Sequence, residues 1–309
     1  MKTLFNLVGK IRICRAKRLG SFCLALLGLL FIVVSCKGPT DPGTPKLSVE
    51  PPNLTFVLNA THRTFQISNS GTGELTWTVK ALQPWISVSP ASGSQSGTVT
   101  VIIARSEISA GDHDGTIRIE SNAGTENVSV RVSVSRERIW RDIISSADIS
   151  SNWDCYDNNS TSGADYWGGT SDEVFSPNYA VWCSRRGSHP TSGEYDIYMD
   201  AWMILRSSAA VNISDYRDIF IRFWMKYDTE RNYDTVKFIV LGNNGSWYSL
   251  SSLTWQGEDY TYRKYEVPLA LFSSASPNFL RFGWRFESDY DRTRRGVYID
   301  DIEVWGVRK

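Results

Sequence analysis

Apolar residues in this chain recur at every second position over long runs. Val99, Val101 and Ile103 alternate with Thr98, Thr100 and Ile102. Val128, Val130, Val132 and Val134 share one face against Ser129, Arg131 and Ser133. Further on, Ile219, Ile221, Phe223, Met225 and Tyr227 oppose Phe220, Arg222, Trp224 and Lys226. Leu280, Phe282, Trp284 and Phe286 oppose Arg281, Gly283, Arg285 and Glu287. Side chains of a strand alternate between the faces of a sheet, so a period of two writes one buried face and one outward face. The expected fold class is all-β.

The alternation falls into two blocks. In residues 46–135 the runs are short, none has helical spacing, and turn signals such as Asn69-Ser70-Gly71-Thr72-Gly73 and Asn122-Ala123-Gly124 separate them. About seven short strands in about ninety residues predict an immunoglobulin-like β-sandwich. Within it, Trp85 is either a core plug or a surface for stacking sugars. Asp112-His113-Asp114 is expected to be a solvated hairpin turn rather than a metal site. Arg136-Glu137-Arg138 is a charged join, after which composition changes: ten of the twelve Trp lie beyond residue 139. Residues 139–309 carry roughly eight to ten strands, with a hairpin at Gly242-Asn243-Asn244-Gly245, and suit a larger jelly-roll β-sandwich.

The first 35 residues hold six basic residues (Lys2, Lys10, Arg12, Arg15, Lys17, Arg18) and no acidic one. The apolar run 22–34 is shorter than the ~20 residues a membrane span needs, and with its basic flank it has the form of a secretory signal. It ends in Val33-Val34-Ser35-Cys36, which resembles the lipobox of bacterial lipoproteins with Val in place of the usual Leu. That resemblance implies a signal peptide over 1–35 and a lipidated Cys36 anchoring the chain in a bacterial membrane, at the periplasmic face or the cell surface. The alternative is an ordinary signal with an incidental Cys. Residues 36–45 continue as a Pro/Gly-rich tether. Export leads to an oxidising compartment, so Cys155 and Cys183 are expected to pair as a disulfide, the alternative being two buried thiols. Beyond the leader, 27 basic residues face 33 acidic ones. This acidic body has no electrostatic footprint for nucleic acid.

Two resemblances sharpen these expectations. Pro84-Trp85-Ile86-Ser87-Val88-Ser89-Pro90-Ala91-Ser92-Gly93, followed by a Gly-Thr-Val-Thr-Val strand and Gly115-Thr116-Ile117-Arg118-Ile119, resembles a BACON domain over residues 46–135. Phe223-Trp224-Met225-Lys226-Tyr227, Arg281-Phe282-Gly283-Trp284-Arg285-Phe286-Glu287 and Gly296-Val297-Tyr298-Ile299-Asp300-Asp301-Ile302 resemble MAM-like jelly rolls over 139–309. Such modules accompany the C-terminal region of immune inhibitor A peptidases and occur in exported surface proteins of the choice-of-anchor type.

The closing strand has a phase slip. Val297 and Ile299 are apolar at odd positions, Ile302 and Val304 at even ones, so a β-bulge is expected at Asp300-Asp301 and one of the two carboxylates must lie near the core. A buried carboxylate needs partners. One reading is a structural Ca²⁺ held by Asp300 and Asp301, with further ligands from among Asp142, Asp148, Asp200 and Asp234; the MAM-like resemblance supports it. The other reading is a carboxylate held by backbone amides or an Arg.

The peptidase motif His-Glu-x-x-His is absent, His62, His113 and His189 are scattered, and neither a Gly-x-Ser-x-Gly elbow nor a phosphate loop occurs. The chain is therefore expected to be non-catalytic, although two carboxylates suffice for glycoside hydrolysis. Outward aromatic and basic residues set the candidate ligand surface: Trp224, Arg222, Arg285, Trp247, Tyr248 and Trp255, with Tyr262 beside them. The expected function is a lipid-anchored binding protein whose first sandwich acts as a stalk and whose second recognises polysaccharide. The alternatives are a structural or adhesive protein contacting a surface protein, and a glycan-active enzyme.

Overall fold

The computed structural model describes residues 43–57, 60–159, 165–187, 193–276 and 278–309. The leader, Cys36 and His189 lie outside the described residues. The first nine strands are β1 (Leu47–Glu50), β2 (Asn53–Phe56), β3 (His62–Asn69), β4 (Thr76–Ala81), β5 (Ile86–Ser89), β6 (Ser92–Ser94), β7 (Gly97–Ile103), β8 (Gly111–Ser121) and β9 (Gly124–Val134). They form two sheets, β1-β3-β7-β5 and β2-β9-β8-β4-β6. The alternating apolar residues face each other between them: Phe56, Phe65, Ile67, Val99, Val101, Ile117 and Val128 are fully buried, and Trp85 is buried with them as a core plug. Asp112-His113-Asp114 is not a turn. It lies within β8, where His113 pairs with Val132, because the long alternation of β9 needs a partner along its whole length.

The larger sandwich holds β10 (Glu137–Asp142), β11 (Trp153–Asp157), β12 (Asp165–Thr170), β13 (Ala180–Gly187), β14 (Asp200–Leu205), β15 (Val211–Asn212), β16 (Tyr216–Asp228), β17 (Thr235–Leu241), β18 (Trp247–Trp255), β19 (Glu258–Pro268), β20 (Phe279–Leu280), β21 (Phe282–Glu287) and β22 (Gly296–Arg308). One sheet runs β12-β13-β22-β16-β19, with β10 also on β22. The other runs β11-β14-β21-β17-β18, and β15 pairs with β20. All of these pairings are antiparallel. Glu137 and Arg138, expected in the join, are already strand residues paired to Gly306 and Trp305.

Aromatic rings fill the space between the two large sheets. Trp284 meets Phe223 at 5.0 Å, Phe238 at 5.4 Å and Trp153 at 5.8 Å between centroids. Edge-on and tilted pairs of this kind contribute about 0.5–1.5 kcal/mol each beyond the area they bury. Gly283, between Phe282 and Trp284, lets β14 and β21 approach: a Cβ there would lie 2.0 Å from the Met203 carbonyl oxygen.

The two sandwiches belong to one compact unit spanning Pro42–Lys309. Val307, near the end of β22, is buried in the core of the smaller one. Arg217 on β16 donates from Nη2 to the carbonyl oxygens of Arg105 (2.8 Å) and Ile108 (2.9 Å), so a strand of one sandwich is hydrogen-bonded to a loop of the other.

Cys155 and Cys183 are free thiols, which corrects the expected disulfide. Cys155 lies on β11 and Cys183 on β13, in opposite sheets. Packed sheets stand about 10 Å apart, beyond the ~7 Å between Cα atoms that a disulfide can span. Cys183 instead packs against Gly296 and accepts a hydrogen bond from the Val297 amide at 3.3 Å. Burial pushes both thiols up to about 12.

Two expected outcomes follow from this packing. Gly283→Ala must displace the β14 backbone and should cost about 1–3 kcal/mol, read as a lower denaturation midpoint; an unchanged midpoint would contradict the close approach. Alkylation without reductant should leave Cys155 and Cys183 unlabelled in the folded chain and label both once it is denatured. Peptides that stay unlabelled until a reductant is added would show a disulfide.

Candidate functional site

The last strand bulges where its apolar phase slips. Arg222 faces Glu303 and Trp224 faces Asp300, so three steps on β22 oppose two on β16, and Asp301 takes a φ of +47°. The bulge is also where β22 changes neighbours: Tyr298 and Ile299 pair with β13, and residues from Ile302 on pair with β10. Asp300 is fully buried. Its Oδ2 accepts the amides of Phe175 (3.0 Å) and Ser176 (2.9 Å), and its Oδ1 accepts the Ser176 hydroxyl (3.1 Å) and the Asp301 amide (2.7 Å). Burial pushes the carboxyl above its ordinary pKa against the pull of these donors.

Three of these four donors belong to the loop between β12 and β13, residues 171–179, which lies back over the outer face of its own sheet. The Phe175 ring stacks on Trp224 at 4.1 Å and 18°. Glu173 bonds Lys226 and, at 2.6 Å, Arg295, and its carbonyl oxygen accepts the Tyr262 hydroxyl at 2.6 Å. Loop 171–179 thus straps the centre of this face.

The calcium reading does not fit the side chains of this bulge. Each Asp300 oxygen already accepts two donors, and Asp301 pairs with Arg141 at 3.0 Å. The other candidates are dispersed: Asp142 accepts the Trp153 indole, Asp148 meets Arg186, Asp200 meets Arg285, and Asp234 meets Tyr195. Among the described residues no group of three or more potential metal ligands converges. His62 and His113 hydrogen-bond Thr61 and the Ser109 carbonyl in the smaller sandwich.

The outer face of the opposite sheet carries a different cluster. Ala201, Met203 and Leu205 fill the core side of β14, which sends Trp202 outward; Cys155 and Trp153 do the same for Tyr156 on β11. Tyr156, Trp202, Arg285 and Lys237 form one cross-strand row. Tyr156 stacks on Trp202 (6.1 Å, 7°), and the Arg285 guanidinium lies 5.0 Å from the Trp202 ring centroid. The Trp202 indole donates to Asp200 at 2.8 Å, and Asp200 also holds Arg285. Despite the burial that opposes it, the Arg285 bond holds the Asp200 carboxyl below its ordinary pKa, so it is ionised at neutral pH.

The next row is Ile204, Gly283 and Ile239, with both isoleucines buried on this outer face. Trp247 stands beyond it, paired with Leu241, and its ring nonetheless meets Trp202 at 6.5 Å and 70°. Both indoles therefore lean over the small central row. The Arg281 guanidinium lies 5.7 Å from the Trp247 ring centroid and acts electrostatically on Tyr156 as well. Tyr156 and Trp247 come from β11 and β18, the two edge strands of the sheet. Tyr156 is exposed and Trp247 half-buried.

Of the six residues expected to bind ligand, the structure brings together Trp247 and Arg285. Trp224 and Arg222 stand on the other sheet, Trp224 beneath Phe175 and Arg222 bonded to Glu266 at 2.8 Å. Tyr248 and Trp255 point to the core: Tyr248 packs on the buried cluster and Trp255 meets Phe223 and Tyr265. Sequence reasoning missed Tyr156, Trp202 and Arg281. The signal was present for Arg281, the polar-phase residue between Leu280 and Phe282; Trp202 lies in the unbroken apolar run from Ala201 to Leu205, and Tyr156 is followed by Asp157, so alternation marks neither as outward.

No curated protein matches the chain. Solved structures similar to it include a carbohydrate-binding module described for promiscuous specificity within the β-sandwich superfamily (8% identity, 85% of this chain and 97% of that one, TM-score 0.35). A family 11 carbohydrate-binding module from Clostridium thermocellum, in complex with a β-1,3-1,4-mixed-linked tetrasaccharide, is similar at 13% identity over 57% of this chain and 99% of that one, TM-score 0.33. The CBM22-1 xylan-binding domain of Paenibacillus barcinonensis Xyn10C is similar at 11% identity over 57% and 98%, TM-score 0.33. The family model described as the viral BACON domain matches residues 46–135, the whole of the smaller sandwich.

Proposed function

We propose that this chain is a non-catalytic glycan-binding protein, held to a bacterial membrane through lipidated Cys36, with the smaller sandwich as spacer and the β11-β14-β21-β17-β18 face as recognition surface. The observation that carries the reading is the convergence of Tyr156, Trp202 and Trp247 with Arg281, Arg285 and Asp200 on that one outward face. A sugar ring has apolar C–H faces and hydroxyl edges. Aromatic rings take the first, and fixed guanidinium and carboxylate groups take the second. Tyr156 and Trp247, on edge strands, are the rings placed to stack. Trp202 is held between Tyr156 and Arg285 and sets the position of both. The reading rests on this face and not on the likeness to carbohydrate-binding modules. The opposite face is strapped by loop 171–179, so Trp224 has no part in it.

The test is native affinity electrophoresis of the full chain through gels loaded with a panel of polysaccharides. At least one glycan should retard it. Trp247→Ala and Tyr156→Ala should each weaken retention about tenfold or more, equal to about 1.4 kcal/mol. Trp224→Ala should leave it unchanged. If no glycan in the panel retards the chain, or if Trp224→Ala is the variant that abolishes retention, the reading fails; capture of a surface protein without sugar affinity would replace it with an adhesive role.

A further inference from the structure

Four cations stand on or beside the aromatic face, and three of them are neutralised there. Arg285 pairs with Asp200 and Glu287, Lys237 pairs with Glu287, and Arg206 pairs with Asp154. Arg281 is the fourth. Among the described residues it forms no salt bridge: its Nε donates to the Leu205 carbonyl oxygen at 2.8 Å, and its guanidinium lies against the Trp247 ring. That bond and that ring fix the plane of the group. Among the described residues neither Nη atom has a hydrogen-bond partner, and neither is fully buried. The fork is thus pre-oriented, open and charged, beside the rings assigned above to the sugar.

A planar fork of two parallel N–H donors matches a carboxylate better than it matches any hydroxyl, and charge-assisted bonds of this kind are about twice as strong as neutral ones. Beyond the leader the chain has six more acidic than basic residues. Its overall charge therefore repels polyanions, and selectivity for an anionic ligand has to come from a local, unneutralised cation. Resting on the glycan-binding reading above, we infer that the ligand is an acidic polysaccharide whose uronate carboxylate is taken by Arg281 while an adjacent sugar ring stacks on Trp247.

The experiment compares retention of the full chain in gels carrying polygalacturonate, glucuronoxylan, the carboxyl-reduced forms of both, and dextran sulfate. The expected result is retardation by a uronate polymer, loss of at least tenfold on carboxyl reduction, and little retardation by dextran sulfate. Arg281→Gln should weaken binding to the uronate polymer about tenfold or more, and Arg281→Lys should restore only part of it, since an ammonium keeps the charge without the fork. Both variants are to be compared at matched denaturation midpoints. Equal retention of the reduced and acidic forms, or full affinity in Arg281→Gln, overturns this inference and leaves the glycan reading standing. Equal or stronger retention by dextran sulfate overturns the carboxylate assignment in favour of sulfate esters. Retention by no glycan at all overturns the underlying reading itself.

Discussion

A buried carboxylate must be matched donor for donor, and in this chain the match at Asp300 organises the larger sandwich. Removing its charge from water is affordable only because four N–H and O–H groups converge on it. Three of them come from Phe175 and Ser176, so the requirement reaches out of β22 and pins the β12–β13 loop across the sheet. The same position carries the bulge, and the bulge lets β22 hand its free edge from β13 to β10. Beyond it, the strand continues to Val307, which closes the core of the smaller sandwich. One strand therefore ties the strap, the sheet and the neighbouring sandwich together.

That arrangement makes the two outer faces physically different. The centre of the face above β22 and β16 is closed by Phe175, Glu173 and Tyr262, and Trp224 is covered there in a stack; Trp305, further along β22, lies under the Arg222 guanidinium at 4.8 Å. The opposite face has no such strap among the described residues. Its aromatic rings are held by cross-strand neighbours, as Trp202 is by Tyr156 and Arg285, and by the small Gly283 row over which Trp202 and Trp247 lean. Fixed rings and fixed charges lose little entropy when a ligand docks. The carboxylate-bound Arg285 and Arg281, which pairs with no carboxylate among the described residues, differ accordingly: the first holds the platform, and the second is the one proposed to meet a ligand.

Much of the fold was legible because the period of two is a direct consequence of sheet geometry. The bulge at Asp300-Asp301 was legible for the same reason, since a phase slip must be absorbed somewhere in the backbone. The amide alternative for Asp300 was also visible, but only the placement of Phe175 and Ser176, 125 and 124 residues away, chooses it over calcium. Cys155 and Cys183 misled because compartment and parity say nothing about which sheet a residue joins. Alternation separated inward from outward but did not say which sheet an outward residue belongs to. Trp224 and Trp247 therefore looked equivalent, although they stand on opposite faces. It also did not exclude Tyr248 and Trp255, whose strand β18 shifts register against β17 between Ser249 and Thr254, so that both rings face inward although their positions differ in parity.

The most direct measurement of which face binds is oxidative footprinting of the tryptophans and tyrosines with and without a retained polysaccharide. The account predicts protection of Tyr156, Trp202 and Trp247, with Phe175, Trp224 and Tyr262 unchanged. Protection confined to Phe175, Trp224 and Tyr262 would contradict it and would make loop 171–179 part of the binding site.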